Sequence, residues 1–422
     1  MKKKEMAVLA AVCAAAVGNL GNMEIIQAFA ENGNRKILEI EETQEPLSIC
    51  VEEENERMMR QIVTAWQKMY GGEQTELIVI PSGEEASKQK VQEIREAIVS
   101  GGGPDLFLAE SPNPAWSEPK TVLFSDPEKE MEQGTFLSLE PYLEYFDTRL
   151  LDERILVEGR TREEQMVLPM TYDYFLYAFD AEDLPQNTKL PESWEELIGQ
   201  EEKAIRQTAG QRSGIQFFDI FGQLADYKKG ELLLSEYQLR EALDEAAEFG
   251  SASLKMDWKM RDTGVVSLNT IEGIAGEKAE HTLFAFPNGE GGVTANITLY
   301  AGINKNTKQP KKAVSFLSLL YSEEILSGKG IAIDGRMEGC SVKFPQGVSV
   351  YEQDLEKRMR SLSKEDQEQM RKIQKKITAV RFCSELDGKL NTLLAEYSAQ
   401  SDEKQKDALI ETAMREWENS LK

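Results

Sequence analysis

The chain contains one histidine and four cysteines among 422 residues. His281 is therefore the only possible imidazole base for a Ser-His-Asp or Cys-His arrangement, and it stands in AEHTLFAFP beside an apolar strand, where a buried structural histidine is expected. Cys13, Cys50, Cys340 and Cys383 include no CxxC pair, so neither a zinc site nor a disulfide framework is indicated, and buried thiols are expected. Paired carboxylates could serve glycoside hydrolysis, but among 74 acidic residues no pair stands out. The chain is not expected to be an enzyme or to need a metal or cofactor.

Basic residues are also few. With 49 Lys and Arg the formal net charge is -25, which excludes nucleic acid or an anionic membrane as the main partner and gives a solubilising surface. No long apolar run follows the N-terminus, so no transmembrane helix is expected there. The N-terminus itself, MKKKEMAVLAAVCAAAVG, sets three lysines before an apolar stretch too short to span a bilayer comfortably. Residues 1–30 read as an export signal, cut after Ala30 with Ala28 and Ala30 as the small residues before the cut. Cys13 follows AAV where a lipid-attachment site wants a leucine first, which speaks against a lipid anchor. An extracellular or cell-surface location is expected.

What the chain does have is an ordinary globular composition, 41% hydrophobic and 29% charged, and enough length for two lobes. PLSICVE reads as a strand, and NERMMRQIVTAWQKMYGG as a helix with Met58, Met59, Ile62, Val63, Trp66 and Met69 on one face. TELIVIPSG, EEASKQKVQEIREAIVS and PDLFLAES then repeat strand, helix, strand. Alternation of this kind predicts a parallel sheet with helices on its faces. The GGGP run at 101–104 ends the second helix with glycines and a proline, and Asp105 leads into a buried strand. In open α/β sheets ligands sit beyond the carboxyl ends of the strands. Glu53, Glu54 and Asn55 after the first strand, Pro81, Ser82 and Gly83 after the second, and Ala109, Glu110 and Ser111 ending the third all face that rim. A phosphate-binding loop is not expected at the glycines, since no lysine-serine pair follows.

These residues carry a resemblance. GGGPDLF, FLSLEPYL at 136–143, MVLPMTYDYFLYAFDAEDL at 166–184 and LPESWEELI at 190–198 resemble, in order and spacing, the extracellular solute-binding proteins of ABC transporters that include the maltose- and other sugar-binding members. FAFPNGEGGVTANITLYAGINKNTKQPKKAVSFLSLL resembles the family's return segment, and the stretch ending in AMREWENSL its terminal helices. The resemblance implies a two-lobed α/β fold like that of periplasmic binding proteins, with a ligand cleft between the lobes and a helical C-terminus. Lobe 1 is expected to take 46–150 plus 288–340, and lobe 2 to take 151–287 plus 341–422.

By the same resemblance the chain binds a carbohydrate in the cleft as a monomer and delivers it to membrane permease subunits. Aromatic faces would stack on sugar rings, while carboxylates and amides hold hydroxyls. The candidates are Glu54, Asn55, Ser82, Glu110, Trp116, Tyr172, Asp173, Tyr174 and Trp258. Trp116 sits in a proline-broken loop and Trp258 among charges in KMDWKMRD, so one of the two is expected to touch ligand. Trp66, Trp194 and Trp417 are expected in the core, Trp194 at a helix start capped by Ser193 and Glu196. Sparse aromatics, 8%, keep open a non-sugar solute such as a peptide or polyamine, and a surface sensor or scaffold built on the same fold is the other alternative.

Overall fold

The computed structural model describes Leu38, Ile40 and residues 45–421, apart from 71–73, 116–119, 162–163, 181–182, 185–186, 255–264, 269–270, 272–273, 275–280, 334–335 and 340–341. The expected export signal, residues 1–30, lies outside the described residues, and so do Cys13 and Cys340.

The predicted alternation is present. β1 (Leu47–Glu52), α1 (Glu53–Met69), β2 (Thr75–Ile80), α2 (Glu84–Val99) and β3 (Leu106–Glu110) follow one another, with β1 parallel to both β2 and β3. Helix α1 buries Met58, Met59, Ile62, Val63, Trp66 and Met69, the apolar face set by its helical spacing. Gly101 and Gly103 at the end of α2 take φ of +86° and +92°, a region that favours glycine. Asp105 has a further task. Its carboxylate accepts from Ser48 N (2.9 Å) and Ser48 Oγ (2.7 Å) on β1, and from Thr307 Oγ1 (2.6 Å) on the returning chain. The aspartate thus ties three distant segments together at the base of the sheet.

The chain then leaves and returns. β4 (Val167–Asp173) belongs to the first sheet, and after Tyr174 the chain passes into β5 (Phe175–Asp180) of a second, three-stranded sheet. That sheet adds β6 (Val265–Ser267) and β7 (His281–Ala285) on either edge of β5, both antiparallel to it. Helices α3 (Lys203–Gln216) and α4 (Glu236–Leu254) lie between β5 and β6 in sequence. β8 (Val293–Ile303) brings the chain back, its second half antiparallel to β3 and its length antiparallel to β4. α5 (Pro310–Leu320) follows, then the short β9 (Val348–Ser349) on the free edge of β4. α6 (Lys364–Lys375) leads into β10 (Ile377–Phe382), which pairs parallel with the first half of β8 and completes a seven-stranded sheet. α7 (Glu385–Ser398) and α8 (Glu403–Leu421) close the helical C-terminus.

Two hydrophobic cores result. The first surrounds the large sheet and contains Trp66, whose Nε1 donates to Ser315 Oγ of α5 at 3.2 Å. The second contains Tyr177, Trp194, Phe218, Phe249, Tyr397 and Trp417. Trp66, Trp194 and Trp417 are all buried, as their helical setting predicts. Leu151, Val167, Met170, Val348, Leu355 and Ile377 pack in the first core, although the sequence grouped 151–287 and 341–422 with lobe 2. The chain enters the second core again at Cys383 and Leu386.

The helix that starts at Trp194 is capped slightly differently from expectation. Ser193 Oγ accepts from Glu196 N at 3.2 Å, while the Glu196 carboxylate reaches back to Glu192 N at 3.0 Å, one residue before the cap. Ser193→Ala is expected to cost about 1 kcal/mol, read as a lower urea midpoint with an unchanged slope. An unchanged midpoint would show that the Glu196 carboxylate alone secures the helix start.

Candidate functional site

The two cores meet beyond the carboxyl ends of β1 and β3, and a cavity of about 190 Å³ lies at that junction. Its walls come from both halves. Glu54, Glu110, Ser111 and Lys120 belong to the rim of the first sheet, while Tyr174, Phe175, Phe218 and Cys383 line it from the crossing segment and the second core. A larger groove of about 1320 Å³ adjoins it, between residues 112–114 and 120–125 on one side and helices α3, α4, α7 and α8 on the other, and shares Pro112, Asn113, Lys120 and Val122 with it. The groove mixes small residues such as Gly210, Ala246 and Gly388 with polar ones such as Glu385, Lys389 and Glu416.

Glu110 is the hub of the smaller chamber. Its Oε1 accepts from Asn55 Nδ2 (3.2 Å) and Gln346 Nε2 (2.7 Å), and its Oε2 from Lys120 Nζ (2.8 Å). Lys120 Nζ also donates to Glu54 Oε1 at 3.0 Å. Burial works against the Lys120 ammonium, but Glu110 and Glu54 outweigh it and hold its pKa above the ordinary lysine value. Behind Glu110 stands Glu52, whose Oε1 accepts from Glu110 N at 3.2 Å. Burial, reinforced by the neighbouring Glu110 charge, pushes the Glu52 carboxyl up to about 8, so it is mostly protonated at neutral pH.

On the opposite wall Asn296, midway along β8, donates to Asp219 Oδ1 at 2.8 Å and accepts from Cys383 Sγ at 3.4 Å. Burial raises the Asp219 carboxyl to about 7, with Asn296 pulling the other way. Arg381 of β10 backs this wall, donating to Gly222 O at 3.0 Å and Phe218 O at 3.1 Å.

Of the sequence candidates, Glu54, Glu110, Asp173 and Tyr174 line this one cavity. Asn55 is buried behind it, holding Glu110. Ser82 is on the exposed rim outside the lining, where its N–H (2.8 Å) and Oγ (2.7 Å) both donate to Glu53 Oε2 and hold that carboxyl below its ordinary value. Tyr172 faces a separate cavity with Asp152 and Arg154, and its hydroxyl accepts from Gln374 Nε2 at 2.8 Å. The Tyr174 hydroxyl donates to the same amide, at Gln374 Oε1 (3.0 Å). Trp116 and Trp258 lie outside the described residues.

Lys120, Gln346, Asn296 and Asp219 were not singled out from sequence. Asn296 carried a visible signal, a lone amide in the apolar run VTANITLY; Lys120 and Gln346 carried none, because they reach Glu110 from segments 10 and 236 residues away. His281 stands on β7, its Nδ1 3.1 Å from Asp366 Oδ2 of α6, and does not line the cavity. Among the described residues no group of three or more His, Cys, Asp or Glu side chains could hold a metal ion, and no helix is long and apolar enough to cross a membrane.

A family model described as bacterial extracellular solute-binding protein matches residues 52–325, well over half of the chain. The chain belongs to this family. Its members are solute-binding proteins, generally without enzymatic activity. A search of the curated proteins found no match. Among solved structures, a family 1 extracellular solute-binding protein from Alicyclobacillus acidocaldarius is similar over 90% of this chain and 100% of its own, at 13% identity and a TM-score of 0.58. An oligogalacturonide binding protein from Yersinia enterocolitica is similar over 89% of this chain and 99% of its own, at 14% identity and a TM-score of 0.58. CpMnBP1, solved with mannotriose bound, covers 90% of this chain and 100% of its own at 14% identity and a TM-score of 0.52. At such identities the likeness is one of fold: the solute-binding family's two-lobed α/β architecture, with a helical C-terminus.

Proposed function

We propose that this solute-binding protein takes a carbohydrate into the cavity around Glu110 and delivers it to the permease subunits of an ABC importer. The observation that carries the reading is the position of the chamber. It sits where the carboxyl ends of parallel strands meet a second core, with carboxylates and amides on the side of the first sheet facing Phe175 and Phe218 from the second half. The fold shared with an oligogalacturonide binding protein and with CpMnBP1 in its mannotriose complex supports a saccharide. The adjoining groove gives room for further rings beyond the chamber.

The lobes follow the two cores and hinge at the crossings, Tyr174 on the outward path, residues 286–292 on the return and Phe382 to Cys383 on the second passage outward. Closure selects solute through its greater affinity for the closed form, and the permease reads closure. Residues 1–30 direct export.

A thermal-shift screen of the full chain tests this. A saccharide that binds only the native state raises the melting temperature with concentration, and Glu110→Ala lowers its affinity roughly tenfold or more, the usual loss for a hydrogen bond to a charged group. A chain that melts cooperatively and responds to peptides or polyamines but to no saccharide would overturn the carbohydrate assignment.

A further inference from the structure

Resting on the carbohydrate reading, we infer that the saccharide carries a free amine, whose ammonium enters the carboxylate site that Lys120 now fills. The chamber is unbalanced in charge. Glu54, Glu110 and Asp173 line it against one lining cation, Lys120. An ammonium site is already built there: Lys120 Nζ stands 3.0 Å from Glu54 Oε1 and 2.8 Å from Glu110 Oε2.

The side-chain atoms left without hydrogen-bond partners around Glu110 point to the same chemistry. They are Ser111 Oγ, Gln346 Oε1, Asn55 Oδ1 and Glu52 Oε2. Ser111 and Gln346 line the cavity, and Ser111 is only 6% exposed. Gln346 Oε1 and Asn55 Oδ1 are carboxamide oxygens that only accept, and the Ser111 hydroxyl can accept as well as donate, whereas Glu52, mostly protonated with its Oε1 taken by the Glu110 N–H, carries its proton on Oε2 behind the wall. An ammonium brings three donors and no acceptor, so it supplies what this wall lacks; a sugar carboxylate would bring acceptors and a negative charge toward Glu54, Glu110 and Asp173. Lys120 belongs to the chain segment that borders both the chamber and the groove, so its side chain can withdraw toward the groove when the solute's amine arrives.

The test is calorimetric titration of the full chain with amino, N-acetylamino and unsubstituted oligosaccharides of matched linkage, in the glucose and galactose series. The amino form is expected to bind at least about tenfold tighter than its two counterparts, with an advantage that shrinks as salt rises. Lys120→Met is expected to widen the preference for the amino form over the unsubstituted sugar, because the competing internal ammonium is gone. Glu110→Gln is expected to erase the preference. Equal or weaker binding of the amino form beside measurable binding of an unsubstituted sugar overturns this inference and leaves the carbohydrate reading standing. Silence of every saccharide from a chain that melts cooperatively overturns both.

Discussion

Replacing Asp387 with alanine is expected to cost the fold about 3–5 kcal/mol, the range for removing one partner of a buried ion pair. Asp387 Oδ1 lies 2.8 Å from Arg381 Nη1, with side chains 2% and 4% exposed. The arginine cannot escape to water: it also donates to Gly222 O and Phe218 O, and its guanidinium sits over the Phe218 ring, 5.4 Å from the centroid. Without Asp387 a positive charge stays buried without its ion-pair partner. The same substitution unbinds the start of α7, since Asp387 Oδ2 accepts from Ser384 N at 2.7 Å and Ser384 Oγ at 3.2 Å. Urea unfolding checks this through a lower midpoint. The double variant Arg381→Met with Asp387→Leu is expected to recover part of the loss, because the uncompensated charge is removed with its partner. A loss below about 1 kcal/mol for Asp387→Ala would mean that the pair does not hold the second core to β10.

Much of the first lobe was legible because its signals are local. Helical spacing in NERMMRQIVTAWQKM, the glycines after Val99 and the apolar run LFLAE each report on a few neighbouring residues, and α1, the turn and β3 follow them. The boundary between the cores was not legible in the same way. Strands β9 and β10 come late in the chain, yet they join the large sheet through β4 and β8, partners more than eighty residues earlier. Of the site, sequence located the rim but not its wiring. Glu54 and Glu110 could be placed beyond strand ends, whereas their shared contact with Lys120 depends on a loop doubling back. With 74 acidic residues, composition could not separate the buried Glu52 from a solvated neighbour such as Glu53. Tyr172 and Asp173 are adjacent on one strand, yet Tyr172 lines one cavity and Asp173 another.

Stability is expected to fall by several degrees in melting temperature as pH rises from about 5 to 8, and Glu52→Gln is expected to remove the largest share of that slope. Burial is the leading cause in each of four raised carboxyls: Glu52 at about 8, and Glu128, Glu158 and Asp219 at about 7. A carboxyl whose folded value lies above its unfolded one binds more protons when folded throughout the interval between them. Its stabilising contribution is therefore complete below the unfolded value and is lost as pH rises through the folded value. For Glu52 the loss runs from the ordinary glutamate value of 4.5 to about 8. Glutamine keeps the carbonyl oxygen that Glu110 N–H now reaches and carries no charge at any pH in this range. The variant should match the parent near pH 5, exceed it at pH 8 and show the flatter profile between them. Melting curves at half-unit pH steps decide the matter. A parent chain equally stable at pH 5 and 8, or a Glu52→Gln variant with the parent's slope, would remove Glu52 as a proton-binding group at the floor of the cleft.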